Sequence, residues 1–396
     1  MPMRSLLVLA LFSLATPAVA RTITVAAGAD AQSRLQEALL DAKPGDVVQI
    51  GAGRFELTDG LSLDVAKVTV RGAGQDKTIL SFKNQMGAGE GLLVTGDDVV
   101  LRDFAVEDAK GDGIKSKGAD RIVYTKLTVR WTGGPKETNG AYGIYPVESR
   151  DVLVDRVLVE GASDAGIYVG QCENIIVRNS TARFNVAGIE IENSRGADVH
   201  SNLATRNTGG ILIFDLPNLP KGNGGDVRVF GNRVVDNDTP NFAPKGNIVA
   251  QVRRGTGVLV MANDGVWIAR NQLSGNATAN VMIVSYRDKH TDAKYNPLPR
   301  RVQVTGNTHG RAGFAPQLPG GEQLAAAFGG SIPAVVWDGS GDPAGLRVAD
   351  AKVLSLGLPA GAPPEAAKPA PAELTAAAIP ERAAVVLPAS MEAAAR

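Results

Sequence analysis

Short aliphatic runs with a period of two, separated by glycine- and asparagine-rich turns, fill the middle of the chain. A Gly followed by an aliphatic residue recurs at Gly91-Leu92, Gly113-Ile114, Gly143-Ile144, Gly166-Ile167, Gly188-Ile189, Gly210-Ile211 and Gly257-Val258, and the basic interval is 22 residues. Alternation of this kind predicts half-buried β-strands and excludes a helical repeat. A second aliphatic strand follows each of the best repeats: Val152-Leu153-Val154, Ile175-Ile176-Val177, Ala197-Asp198-Val199, Val227-Arg228-Val229 and Val266-Trp267-Ile268. Behind it come an Asn at 179, 202, 232 or 271 and another at 185, 207, 237 or 276. One such coil cannot bury its apolar face, whereas a stack of coils buries a continuous aliphatic column. Asn tolerates left-handed backbone and bonds to neighbouring backbone, so the repeated Asn predict ladders running up the turns. Ahead of the repeats, Ala31–Ala42 reads as an amphipathic helix with Leu35, Ala38, Leu39 and Ala42 on one face, able to cap the open end of the stack.

Alternation also assigns the faces. Ile114, Ile144, Ile167, Ile189 and Ile211 point inward, and Lys115, Tyr145, Tyr168, Glu190 and Leu212 point outward, with Glu192 beside Glu190. Three insertions break the period, within Trp131–Tyr142, Asp215–Gly225 and Asp238–Gly255, and all adjoin this Gly-Ile column. Insertions on one face of a solenoid commonly wall a binding face, so a groove floored by the Gly-Ile strands is expected.

The candidate chemistry gathers there. Tyr145 and Tyr168, with Tyr142 on the rim, offer rings for the apolar face of a sugar, and Tyr145 or Tyr168 beside a cationic neighbour is also a candidate lyase-type base. Glu190 and Glu192, with Cα atoms about 6–7 Å apart, suit acid/base work on a glycosidic bond. With Asp164 they form a possible Ca²⁺ site. Lys115 is a candidate base or carboxylate binder. Asp112, Asp164, Gln171 and Asp215, near the strand ends, are candidate substrate contacts. Leu212, Phe214, Leu216, Leu219, Leu259 and Met261 offer an apolar patch for a protein partner instead.

Composition removes other classes. Lys+Arg and Asp+Glu are both 41, which gives no basic footprint for nucleic acid. The single cysteine, Cys172, excludes an internal disulfide or a multi-cysteine zinc site, and the three histidines are not at ligand spacing. Residues 1–20 read as a signal peptide, too short in its apolar run to span a membrane, which places the protein in the periplasm or outside the cell. Residues 21–312 are expected to form the repeat and 313–358 its last strands and cap. In 359–396 Ala and Pro dominate, and disorder is expected.

The segments Lys110-Gly111-Asp112-Gly113-Ile114-Lys115, Tyr142-Gly143-Ile144-Tyr145-Pro146-Val147, Ser163-Asp164-Ala165-Gly166-Ile167-Tyr168 and Gly188-Ile189-Glu190-Ile191-Glu192-Asn193 resemble the right-handed parallel β-helix of the pectate-lyase-like superfamily. The texture is most similar to bacterial secreted β-helix proteins with no established reaction. The resemblance implies an all-β right-handed parallel β-helix with a short N-terminal capping helix. The Asp-Asp/His-Gly pattern of polygalacturonases, the Asp-Pro-His-Asp of alginate epimerases and the Trp-x-Asp-His type motif of pectate lyases are all missing. Two functional readings follow. One is a glycan-binding enzyme that cleaves or epimerises an extended polysaccharide along the Gly-Ile face, as lyase, hydrolase or epimerase. The other is a non-catalytic rod that binds glycan or a periplasmic protein partner.

Overall fold

The computed structural model describes residues 20–87, 89–359 and 361–396. The expected signal peptide therefore lies, but for Ala20, outside the described residues. No helix among the described residues is long and apolar enough to cross a membrane.

The chain winds into a parallel β-helix with three columns of strands. Among the described residues the Gly-Ile sheet has 12 strands, running from Leu61–Leu63 through Ala187–Glu192 to Ala370–Ala372, all parallel but the last. The second sheet begins at Thr22–Val25 and carries Glu173–Arg178 and Arg195–His200. The third carries short strands such as Thr181–Arg183 and Leu203–Thr205. The second and third merge where Val100–Glu107 and Ile122–Arg130 run through the corner unbroken. Register is strict: Ile144 pairs with Ile114 and Ile167, and Ile189 with Ile211. These isoleucines are fully buried in one aliphatic core, as the alternation requires.

The Gly of each Gly-Ile pair is explained by the neighbouring coil. A Cβ on Gly188 would lie 2.5 Å from the Gly210 carbonyl oxygen and 2.8 Å from Asn207 Nδ2. Gly143, Gly210 and Gly257 face the same clash with the coil that follows. Any side chain here would wedge the coils apart.

Asparagine ladders hold two corners. Asn202, Asn232, Asn271 and Asn307 stand one above another. Each Nδ2 donates to a carbonyl one coil back; those of Asn202, Asn232 and Asn271 also donate to the Oδ1 of the next Asn, and that of Asn307 to Asp350 Oδ2, all at 2.8–3.0 Å. The second ladder runs Asn185, Asn207, Asn237, Asn276. Asn179, expected on a rung, is not on one. Ser180 holds that position, and Asn179 sits at φ 51° and donates to Asp155. The third corner uses smaller groups, with Cys172 between Ser149 and Ser194. Burial pushes its thiol up to about 12, so it is structural and unreactive.

The N-terminal end is closed by a helix, α1, at Ala31–Asp41, which buries Leu35, Ala38 and Leu39 as expected, with Ala42 buried just beyond its end and Ala31 buried as well. The tail departs from expectation. Residues 361–396 are placed against the helix instead of being disordered. Ala370–Ala372 pairs antiparallel with Val353–Ser355, and Leu374 enters the main core. The chain then runs back along the outer face of the second sheet. The Ile379 carbonyl accepts from Trp267 Nε1, Arg382 bridges to Asp198, and Glu392 pairs with Arg178 at 2.7 Å. A last helix, Ala389–Ala394, sets Met391 with Leu387 and Ala395 onto Val123, Leu153 and Ile176. Composition alone suggested disorder, but a few apolar residues meet a matching strip, and that burial holds the segment.

Two outcomes are expected. Asn207→Ala strips several buried partners at once and should cost about 2–4 kcal/mol in urea unfolding. A loss below about 1 kcal/mol would mean that water or neighbours replace the rung. Limited proteolysis should leave 361–396 intact in the native protein, and Met391→Asp should make that segment cleavable without unfolding the coils. Equal cleavage of both proteins would mean that the Met391 contact does not hold the tail.

Candidate functional site

The Gly-Ile sheet turns Lys115, Tyr145, Tyr168 and Glu190 outward as expected, but the face is not an open groove. The second and third insertions and one further loop close over much of it. Asn193 bonds to both the Leu216 N–H and carbonyl and to the Lys221 carbonyl, which folds down the loop after Asp215. The longer insertion, with a 3-10 turn at Ile248–Gln251, sets Val249 and Val252 against Tyr168 and Leu212 in a second apolar cluster. Asn247 Nδ2 donates to Asp164 Oδ2 at 3.2 Å. A loop after the Ala279–Val284 strand, not singled out in the sequence, brings the Tyr295 hydroxyl onto the Asp215 carbonyl. The expected apolar partner patch is therefore corrected: Leu212, Phe214, Leu259 and Met261 are buried, and Leu216 and Leu219 partly so. The chain's own loops cover them. A cavity of about 190 Å³ remains on this half, lined mainly by apolar side chains including Met261, Met282 and Leu324.

The polar half holds most of the predicted residues together. Tyr142, Tyr145 and Tyr168 form one ring cluster, with centroids 4.4–4.9 Å apart. Tyr142 and Tyr145 are half-buried and form the mouth, while Tyr168 lies beneath them. Lys115 Nζ sits 4.9 Å from the Tyr145 ring centre. The same ammonium lies 2.9 Å from Glu90 and 3.5 Å from Asp112. Glu90 was missed in the sequence, although it precedes Gly91 as Asp112 precedes Gly113 and Tyr142 precedes Gly143. Behind the rings, the Tyr168 hydroxyl donates to Glu192 at 2.6 Å. Glu190, only 1% exposed, has one oxygen with no hydrogen-bond partner.

Glu190 and Glu192 lie on one strand face, and each bears on the other's proton affinity. Gln171 and Asp215 lie toward the closed end. Gln171 accepts from the Lys221 N–H, and Asp215 accepts from the Gly224 N–H.

Proton affinities follow from this packing. Burial, reinforced by the Asp164 and Glu192 charges, lifts Glu190 well above the ordinary carboxylate range. Burial also raises Glu192, against the hydrogen bond from Tyr168. Asp164 is pushed up to about 7 by burial and then by Glu192, with the Asn247 donor opposing. Asp112 rises to about 6 through burial and Glu90, with Lys115 opposing. Asp215 rises to about 6 through burial, and burial pushes Tyr145 up to about 12. Burial pulls the Lys115 ammonium down, but the Glu90 hydrogen bond and the Asp112 charge outweigh it and hold it above the usual lysine range. A lysine so held is a donor to oxygen rather than a base. Among the described residues no group of three His, Cys, Asp or Glu side chains is placed to hold a metal ion. The Glu190, Glu192 and Asp164 side chains do not form such a group.

The family model described as a right handed beta helix region matches residues 68–220. No curated protein sequence matches the chain. Among solved structures, an A-module of mannuronan C-5 epimerase from Azotobacter vinelandii is similar at 15% identity, covering 80% of this chain and 89% of that one, with a TM-score of 0.52. A second such A-module from that organism shares 17% identity over 78% and 86% of the two chains, with a TM-score of 0.49. An alginate lyase from Paenibacillus sp. shares 19% identity over 74% and 97%, with a TM-score of 0.40. At these identities the likeness speaks to fold alone. The chain thus has the right-handed parallel β-helix fold.

Proposed function

We propose that this protein binds an extended polysaccharide at the polar half of its Gly-Ile sheet and performs acid–base chemistry on it, cleaving or epimerising the chain. The observation that carries this reading is the tyrosine cluster at the mouth, bordered by Lys115 and by carboxyl groups whose proton affinities approach neutrality. The mannuronan epimerase module with the same fold gives it further support. The signal-like sequence of residues 1–20 suits work in the periplasm or outside the cell.

Each group has a part. The half-open Tyr142 and Tyr145 rings stack on the C–H face of a sugar. Lys115, kept charged, donates to a sugar oxygen. Asp112 lies at the opening and exchanges a proton near pH 6, where acid and base forms coexist. Asp164, Glu190, Glu192 and Tyr168 lie deeper and shape the field at the mouth. The closure of Asp164 beneath Asn247 favours a second reading, a glycan-binding rod without turnover, which uses the same mouth.

A panel of acidic, neutral and amino polysaccharides should reveal turnover, followed by reducing ends and by the ultraviolet absorbance of unsaturated products. Asp112→Asn should lower kcat by about 100-fold or more with KM little changed. Tyr145→Ala should weaken glycan binding by about tenfold. Full turnover by Asp112→Asn would end its acid–base role, and a folded wild type that binds no glycan would end the whole reading.

A second test needs no substrate. Asp164 binds its proton more tightly folded than unfolded, so its contribution to stability is complete below about pH 4 and is lost as pH rises through about 7. At one pKa unit per about 1.4 kcal/mol, Asp164→Asn should gain on the wild type by a few kcal/mol between pH 4 and pH 8 in denaturant titrations. Parallel stability curves for the two proteins would show that Asp164 carries no such strain.

A further inference from the structure

We propose that the glycan taken at this mouth is cationic, an amino-sugar polymer with free amines, and not a polyuronate. The inference rests on the polysaccharide reading above and names its substrate class.

The ionisable groups at the site are nearly all of one kind. Glu90, Asp112, Asp164, Glu190 and Glu192 gather around the three tyrosines, and Lys115 is the ammonium among them. A polyuronate presents a carboxylate on every sugar and needs free cations to receive it. Lys115 is already shared between Glu90 and Asp112. Lys221 is turned away to Glu173 at 2.7 Å, and Lys110 bonds to the Met86 carbonyl at 3.2 Å. Lys117, the exposed outward residue at the far end of the Lys115 strand, and Lys136 and Lys245 on the loops stand where water and salt screen them.

Two further observations point to a cation. Glu190 keeps a buried acceptor oxygen without a partner behind the rings. The half-open tyrosines present π faces, and Lys115 over Tyr145 shows that an ammonium is accommodated there. An amino group arriving at the mouth would meet Glu90 and Asp112 directly and would favour ionisation of the carboxyls behind them. Binding should therefore release protons.

Titration calorimetry of the full chain at pH 6, in two buffers of different ionisation enthalpy, tests this with three probes: glucosamine hexamer, N-acetylglucosamine hexamer and mannuronate hexamer. The free-amine hexamer should bind about tenfold more tightly than the acetylated one, with proton release and with affinity that falls as salt rises. The mannuronate hexamer should be weakest. Glu90→Gln should weaken the free-amine hexamer and, by releasing Lys115, strengthen mannuronate. If that variant does not fold, Asp112→Asn releases Lys115 in the same way. Mannuronate binding as tightly as the amine, or equal binding of acetylated and free-amine hexamers, would overturn the charge assignment and leave the glycan reading standing. Binding of none of these and of no glycan in the wider panel would overturn both.

Discussion

Each coil lies about 4.8 Å above the last, and the chain is built to keep that distance unbroken. Glycine stands wherever a side chain would meet the next coil's carbonyl, as at Gly188 beneath Gly210. Asparagine stands at two corners because its amide can donate down to one coil and across to the next rung while its oxygen accepts from behind. Small hydroxyl and thiol groups serve the third corner, where Ser149, Cys172 and Ser194 repeat the idea with shorter reach.

That stacking also makes the site. Strict register forces outward residues into vertical line, so Tyr168 and Glu190 must be neighbours, as must Glu190 and Leu212. Carboxyls on adjacent rungs cannot move apart, and the loops above exclude the water that would solvate them. Raised proton affinity at Asp164, Glu190 and Glu192 is the direct result. Residues at the mouth keep partial access to water, which is where a ligand can exchange with it.

The repeat was legible because its causes are local and periodic. Each Gly-Ile pair states one clash and one buried isoleucine, so the core, the outward ladder and α1 could be read from spacing. Asn179 was misread because a corner accepts either Ser or Asn, and Ser180 beside it took the rung. Glu90 escaped notice because its coil precedes the most regular repeats, although its place before a Gly-aliphatic pair was a usable signal. The covering of Leu212 and Glu190 was not legible at all. A period describes how coils stack, whereas Val249, Asn247 and Tyr295 come from irregular segments whose landing place is set by shape and not by spacing. The tail was misjudged for a related reason: its composition is that of a disordered segment, and only the strip formed by Val123, Leu153 and Ile176 shows what it meets.

The tail has one more consequence. A solenoid held only by neighbouring coils can fray from either end, one turn at a time, because no contact spans the stack. Here Lys126 donates to the carbonyl of Arg396, 270 positions away in sequence, and Arg102 reaches the Ala394 carbonyl. The last coil is thereby fastened to the early ones by a continuous length of its own chain. Peeling either end must first undo a seam that runs along the other, so the stack should melt as one cooperative block rather than unravel as a row of separable turns.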